Sequence, residues 1–219
     1  MSKILVAYFS RAGENYFGGA IKSVAVGNTE ICADLIKQAF PDADLFKIEM
    51  AAPYADNYRK CVSQVTADMM LHKRPALTAL PESIAAYDAI VLGYPNYCGT
   101  IPMAVATFLE AFDFTGKKLL PYCTNEGSGM GRSEKDLRKL CPTAVIAPGL
   151  AITGSAAAAK QGEWSSAKAR EGIWHKAGMI VVVIVAAGAD LLISLVIANI
   201  PAVQLPFEFG GLVCPIVLV

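Results

Sequence analysis

The stretch "KILVAYFSRAGENYFGGAIKSVAVGNTEICADLIKQAF" (residues 3–40) decides the fold. It opens on an unbroken apolar run, 3–9, which is the pattern of a strand buried on both faces. Its apolar core is too short for a signal peptide, so it reads as a first strand and the front of the chain as cytoplasmic. It closes on helical spacing from Thr29 to Phe40. Between them runs a polar loop, Ser10 to Glu30, at the kind of strand-to-helix junction where helix N–H groups hold phosphate. Asn28 or Thr29 is the expected helix cap.

The same alternation continues outward. Further apolar runs lie at 43–50, 88–95, 117–123 and 143–152, with helical spacing over 57–72, 102–112 and 132–140. Strands alternating with helices predict an α/β fold, a parallel sheet covered on both faces, with ligands beyond the carboxyl ends of its strands. That places three loops at one edge: Ser10–Thr29, Tyr94–Ile101 and Thr124–Gly131.

Composition narrows the chemistry. Lys+Arg and Asp+Glu are equal at 19 each, and no basic run with interleaved aromatics occurs, which argues against nucleic acid as a partner. Six scattered cysteines without a CxxC pair, and two histidines, offer no metal site; the cysteines read as small buried hydrophobes in a reducing compartment. A P-loop fails because Gly19 stands where lysine is required, and "GSGMG" (127–131) lacks dinucleotide-fingerprint spacing. The loops instead combine a helix start with hydroxyls, an aromatic turn "GYPNYCGTIP" (93–102), and a glycine-rich "TNEGSGMGRSE" (124–134). Together they describe a site for a flat ring carrying a phosphate, flavin mononucleotide (FMN).

Three segments, "ILVAYFSRAGEN…VGNTE", "YPNYCGTIPMAVATFLEAFDFTGKKLLPYCTNEGSGMGRSEKDLRKLCP" and "PGLAITGSA", resemble the flavodoxin-like proteins with a long first loop, over about residues 1–157. The resemblance implies a doubly wound five-stranded parallel sheet in the order 2-1-3-4-5, with FMN at the switch point. By position it implies that Ser10, Arg11, Asn28 and Thr29 hold the phosphate. Pro95, Asn96, Tyr97, Cys98 and Gly99 would line the isoalloxazine, with Tyr97 stacking, and a carbonyl of the 96–99 turn would face flavin N5. Thr124, Asn125, Glu126, Gly127 and Gly129 would meet its polar edge, Glu126 bringing charge near N1. Two positions depart from the pattern: relatives often carry a large aromatic where Cys98 stands and a histidine where Asn125 stands. Cys98 reads as a space-filler, and no catalytic acid or nucleophile is expected. The resemblance implies electron transfer with a redox partner protein or a small-molecule electron acceptor, or alternatively an NAD(P)H-dependent quinone or FMN reductase.

The helical stripe Tyr54, Tyr58, Cys61 and Val65 reads as packing. After Ile152 the alternation fails; residues 158–174 read as a linker and 175–219 as a hydrophobic segment. From Ala177 to Val219 the only charged residues are Asp190 and Glu208, and twelve Val, Ile or Leu lie between Met179 and Ala198. Residues 179–200 are thus long enough for a transmembrane helix, and Lys168, Arg170 and Lys176 before them keep the first domain in the cytoplasm. Residues 172–219 resemble the start of a phage-type holin and stop inside a second apolar run; on that resemblance the alternative is a holin-like membrane oligomer with an incidental front domain.

Overall fold

A computed structural model describes residues 3–154 and 157 in full, and 173–176, 179–185 and 192–196 as backbone. The elements run β1 (Ile4–Tyr8), β2 (Gly13–Phe17), β3 (Ala20–Val24), α1 (Asn28–Ala39), β4 (Asp44–Lys47), α2 (Tyr58–Met70), β5 (Ala89–Pro95), α3 (Met103–Glu110), β6 (Lys118–Asn125), α4 (Ser133–Leu140), β7 (Val145–Ile146) and β8 (Leu150–Thr153). The main sheet has the order β4-β1-β5-β6-β7, parallel throughout, and β8 also pairs with β6. β7 and β8 are two pieces of the fifth strand expected over 143–152. Pro148 lies between them and has no N–H for the ladder, which is why the strand breaks there. The expected 2-1-3-4-5 order is therefore present.

Side-chain alternation builds a core on each face of this sheet. Leu5, Ala7 and Phe9 join Ile90, Leu92 and Tyr94 under α3 and α4, where Val105, Phe108 and Leu137 are buried. Ile4, Val6 and Tyr8 join Val91, Leu120 and Tyr122 under α1 through Cys32 and Ala33. With apolar residues needed on both faces, β1, β5 and β6 read as near-continuous hydrophobic runs.

The first loop is not a plain loop. β2 and β3 pair as an antiparallel hairpin whose register sets Phe17 opposite Ala20 and Tyr16 opposite Ile21. Its turn is Gly18-Gly19, with φ of 57° and 85°, the doubly left-handed conformation that matches the twist of a two-residue hairpin and that glycine adopts without strain.

Among the described residues no helix is long and apolar enough to cross a membrane. β9 (Ile173–Lys176), β10 (Met179–Val185) and β11 (Leu192–Val196) form a separate antiparallel sheet in the order β11-β10-β9. The helix expected over 179–200 is thus not shown; runs such as "MIVVVIV" are β-branched, and that chemistry favours an extended backbone as readily as a helix. The linker expected over 158–174 lies almost wholly outside the described residues.

Candidate functional site

The three expected loops converge at the carboxyl edge of the sheet on one cavity of about 320 Å³. Arg11, Asn28, Thr29, Pro95, Asn96, Tyr97, Cys98, Thr124, Asn125 and Glu126 all line it. Ser10, Gly99, Gly127 and Gly129 do not reach its wall and instead shape the backbone behind it.

The floor is the junction of β1 and α1. Neither Asn28 nor Thr29 caps the helix: Gly27 is the N-cap, and the Ser10 hydroxyl, arriving from the strand side, accepts the Glu30 N–H at 3.2 Å. The reason lies in burial. Thr29 is 1% exposed and spends its hydroxyl on Thr124, 2.7 Å away across the cavity floor, which ties the first loop to the third. Gly27 is required by close approach: a Cβ there would stand 2.3 Å from Ser10 Oγ and 2.6 Å from the Arg11 carbonyl. The N–H groups of Asn28 and Thr29, at the first two helical positions, have no intrahelical carbonyl to use, which makes this junction suited to an anion.

The aromatic wall follows β5. Asn96 fixes the turn by donating to the Gly129 carbonyl at 2.8 Å and accepting the Gly99 N–H at 2.9 Å. Tyr97 and Thr100 exchange backbone hydrogen bonds at 2.9 and 3.1 Å, with Cys98 and Gly99 between them at φ 50° and 85°. The reading of Cys98 as a space-filler is corrected here. Its side chain is exposed at the cavity edge, 3.8 Å from the Thr66 hydroxyl, because the left-handed turn projects it outward. Tyr97 packs edge-on against Phe9, with ring centroids 5.8 Å apart, and its hydroxyl is buried beside the Cys61 thiol without a hydrogen-bond partner. Burial drives that phenol far above its ordinary range, so it stays protonated. Asn28 Oδ1 is likewise buried and unpartnered, so two polar atoms of cavity-lining residues are unsatisfied by the protein.

The third loop is organised by Asn125. Its amide donates to the carbonyls of Cys123 and Ile152, while its oxygen accepts the N–H groups of Gly127 and Gly129 at 2.9 and 3.0 Å. Asn125 is therefore the scaffold of the loop, a task for which one amide offers donors and acceptor together.

Two walls escaped the sequence reading. Asn15, Tyr16 and Val24 reach the cavity from the hairpin, and Tyr58, Cys61, Val62 and Val65 from α2. The stripe read as packing therefore faces the site along most of its length, and burial raises both the Tyr58 phenol and the Cys61 thiol above their ordinary values. The hairpin was visible as Gly-Gly between two β-prone segments, and α2 only as an apolar stripe with no sign of which side it covers. Arg11, expected on phosphate, spends its guanidinium on the carbonyls of Glu14, Ala55 (2.7 Å) and Asp56, and so clamps the hairpin base to the segment before α2.

Comparison with known proteins agrees with this architecture. A flavodoxin family profile matches residues 3–168, and a bacteriophage holin family profile matches residues 150–207. No curated protein matches the chain. Among solved structures, a protein described as a flavoprotein from Bacteroides eggerthii is 29% identical, with a TM-score of 0.57, covering 76% of this chain and 99% of its own. One similarly described from Bacteroides uniformis is 27% identical, with a TM-score of 0.57, covering 75% and 99%. A flavoprotein from Lactobacillus acidophilus, solved in complex with FMN, is 16% identical with a TM-score of 0.54 over 76% of this chain and all of its own, a likeness of fold.

Proposed function

The chain belongs to the flavodoxin family, and from that premise we propose that it binds FMN in the three-loop cavity and serves in electron transfer. The observation that carries the reading is the convergence of an open helix N-terminus, a tyrosine turn and two unpartnered buried polar atoms on one cavity. These groups fit the cofactor part by part. The N–H groups of Asn28 and Thr29, with Ser10 behind them, suit the phosphate. Asn28 Oδ1, an acceptor without a donor, suits a ribityl hydroxyl better than an anion. Tyr97, Pro95 and Cys98 offer a wall for a flat ring, and the loop held by Asn125 offers backbone groups to its polar edge.

When bound, FMN supplies the one- and two-electron chemistry, and the protein supplies position and electrostatics. Here Tyr97 contributes a neutral aromatic surface, Asn96 holds the turn, and Thr29 with Thr124 ties the floor together. We also propose that residues 179–200 attach this domain to the cytoplasmic face of a membrane; their near-uncharged composition and the overlap with the holin profile support it. The deciding experiment is a titration of the purified full chain with FMN, followed by quenching of flavin fluorescence and by the visible spectrum. Saturable quenching with a perturbed flavin spectrum is expected, and a folded chain that leaves FMN fluorescence unchanged would overturn the reading.

A further inference from the structure

The hairpin β2–β3 bridges the cavity and is fastened at both ends to elements distant in sequence. At its base the Glu14 carboxylate accepts the Tyr58 N–H at 2.8 Å and the Asn57 side-chain amide at 3.0 Å, placing a negative charge at the N-terminus of α2. Arg11 binds the same base to residues 55 and 56. At its tip the N–H of Gly18 donates to the Glu126 carboxylate at 3.1 Å, across 108 residues of chain. Between these anchors Asn15, Tyr16 and Val24 line the cavity, while four of the five residues of β3 are exposed. A two-stranded ribbon with so little buried surface is marginal alone, so it stays down by its anchors.

We propose that this hairpin is a flap over the cofactor cavity and that Glu126 is its latch, a positioning residue that acts through Gly18. The proposal rests on the FMN reading for its consequence and on protein–protein bonds for its structure. The two anchors are unequal: the base is held by several bonds involving Arg11 and Glu14, the tip by Glu126, so the flap opens from the tip. Because the Gly18–Glu126 bond joins two protein groups, its loss speeds entry and exit of the cofactor alike. Loss of a flavin contact alone would raise the dissociation rate and leave the association rate where it was, so the association rate is what reports the latch.

The test uses the full chain, as wild type, Glu126→Ala and Glu126→Gln, with stopped-flow quenching of FMN fluorescence and hydrogen exchange of peptides covering residues 13–24. Glu126→Ala is expected to raise the association rate of FMN by about tenfold, the size of one charge-assisted hydrogen bond, and to raise the dissociation rate by at least as much, since Glu126 also lines the cavity. It is also expected to speed exchange in 13–24 without FMN present. Glu126→Gln keeps an acceptor oxygen but gives up the charge, and is expected to fall between wild type and Glu126→Ala. A rise in dissociation rate alone, with Kd rising in step, would overturn the latch, as would unchanged exchange in 13–24. A wild-type chain that takes up no FMN would end the flavin reading instead, and the exchange data would still decide whether Glu126 holds the flap.

Discussion

Cys32, Cys123 and Cys141 show what burial does to a single group. All three are buried, and desolvation of the thiolate pushes Cys32 and Cys123 up to about 12 and Cys141 up to about 11, from an ordinary value near 9. The Tyr8 phenol, on the last residue of β1, rises to about 12 for the same reason. In each case the folded chain keeps a proton that the unfolded chain gives up more easily. Their stabilising share is therefore complete below about pH 9, shrinks as the unfolded thiols ionise, and is gone once pH passes the folded values near 11 to 12. Urea midpoints should accordingly fall as pH rises from about 9 toward 11, and Cys32→Ala should flatten that fall while lowering stability at pH 7. A midpoint independent of pH over this range would contradict the assignment. Cys98 lives in the opposite setting, exposed in a left-handed turn, and it alone of the described cysteines should react with a thiol reagent in the folded state.

At the scale of elements the junction of β1 and α1 is the most constrained point of the site, because Gly27 must pass Ser10 and the Arg11 carbonyl with no room for a Cβ. Gly27→Ala should push the strand end away from the helix start, cost about 1–3 kcal/mol by overpacking, and lower FMN affinity by more than about tenfold because the first-turn N–H groups lose their setting. Thermal unfolding and FMN titration measure the two effects separately; full affinity in a destabilised variant would place the phosphate elsewhere. This junction also marks the limit of what the sequence told. The strands over 4–8, 89–95 and 118–125 were legible because burial on both faces writes a continuous apolar run. The helices were legible from their period, to within one to two residues at their ends. Unread were the uses to which side chains are put once several elements meet: Thr29 turned to Thr124, Ser10 capping in its place, Arg11 consumed by carbonyls, Asn125 serving as a loop scaffold. The first three depend on partners between 20 and 95 residues away, which no local pattern carries, and Asn125 adds to its local bonds one to the Ile152 carbonyl, 27 residues on. The hairpin was missed for a different reason, since the polar residues around Gly18-Gly19 masked a turn signal that was present.

For the whole molecule the question is how a flavodoxin-like domain and an apolar tail divide the chain. The sheet reaches its last strand at Thr153 and the second core cluster includes Ala157, whereas residues 177–219 carry only Asp190 and Glu208 as charges. Among the described residues the two core clusters are built from residues up to Ala157. An open sheet such as β11-β10-β9 leaves unpaired edge groups that hydrocarbon cannot satisfy, so if residues 179–200 enter a bilayer they should do so as a helix. Membrane attachment then predicts a clean separation of properties. The full chain should sediment with membranes and resist an alkaline carbonate wash. A chain ending at Lys168, the limit of the flavodoxin match, should remain in the supernatant with an FMN affinity within about twofold of the full chain, as expected for independent regions. Helical signal from the full chain in lipid vesicles, in excess of that from the shortened chain, would identify the spanning segment. Release of the full chain by carbonate would remove the membrane from the account. Loss of flavin binding on shortening would instead make the tail part of the domain.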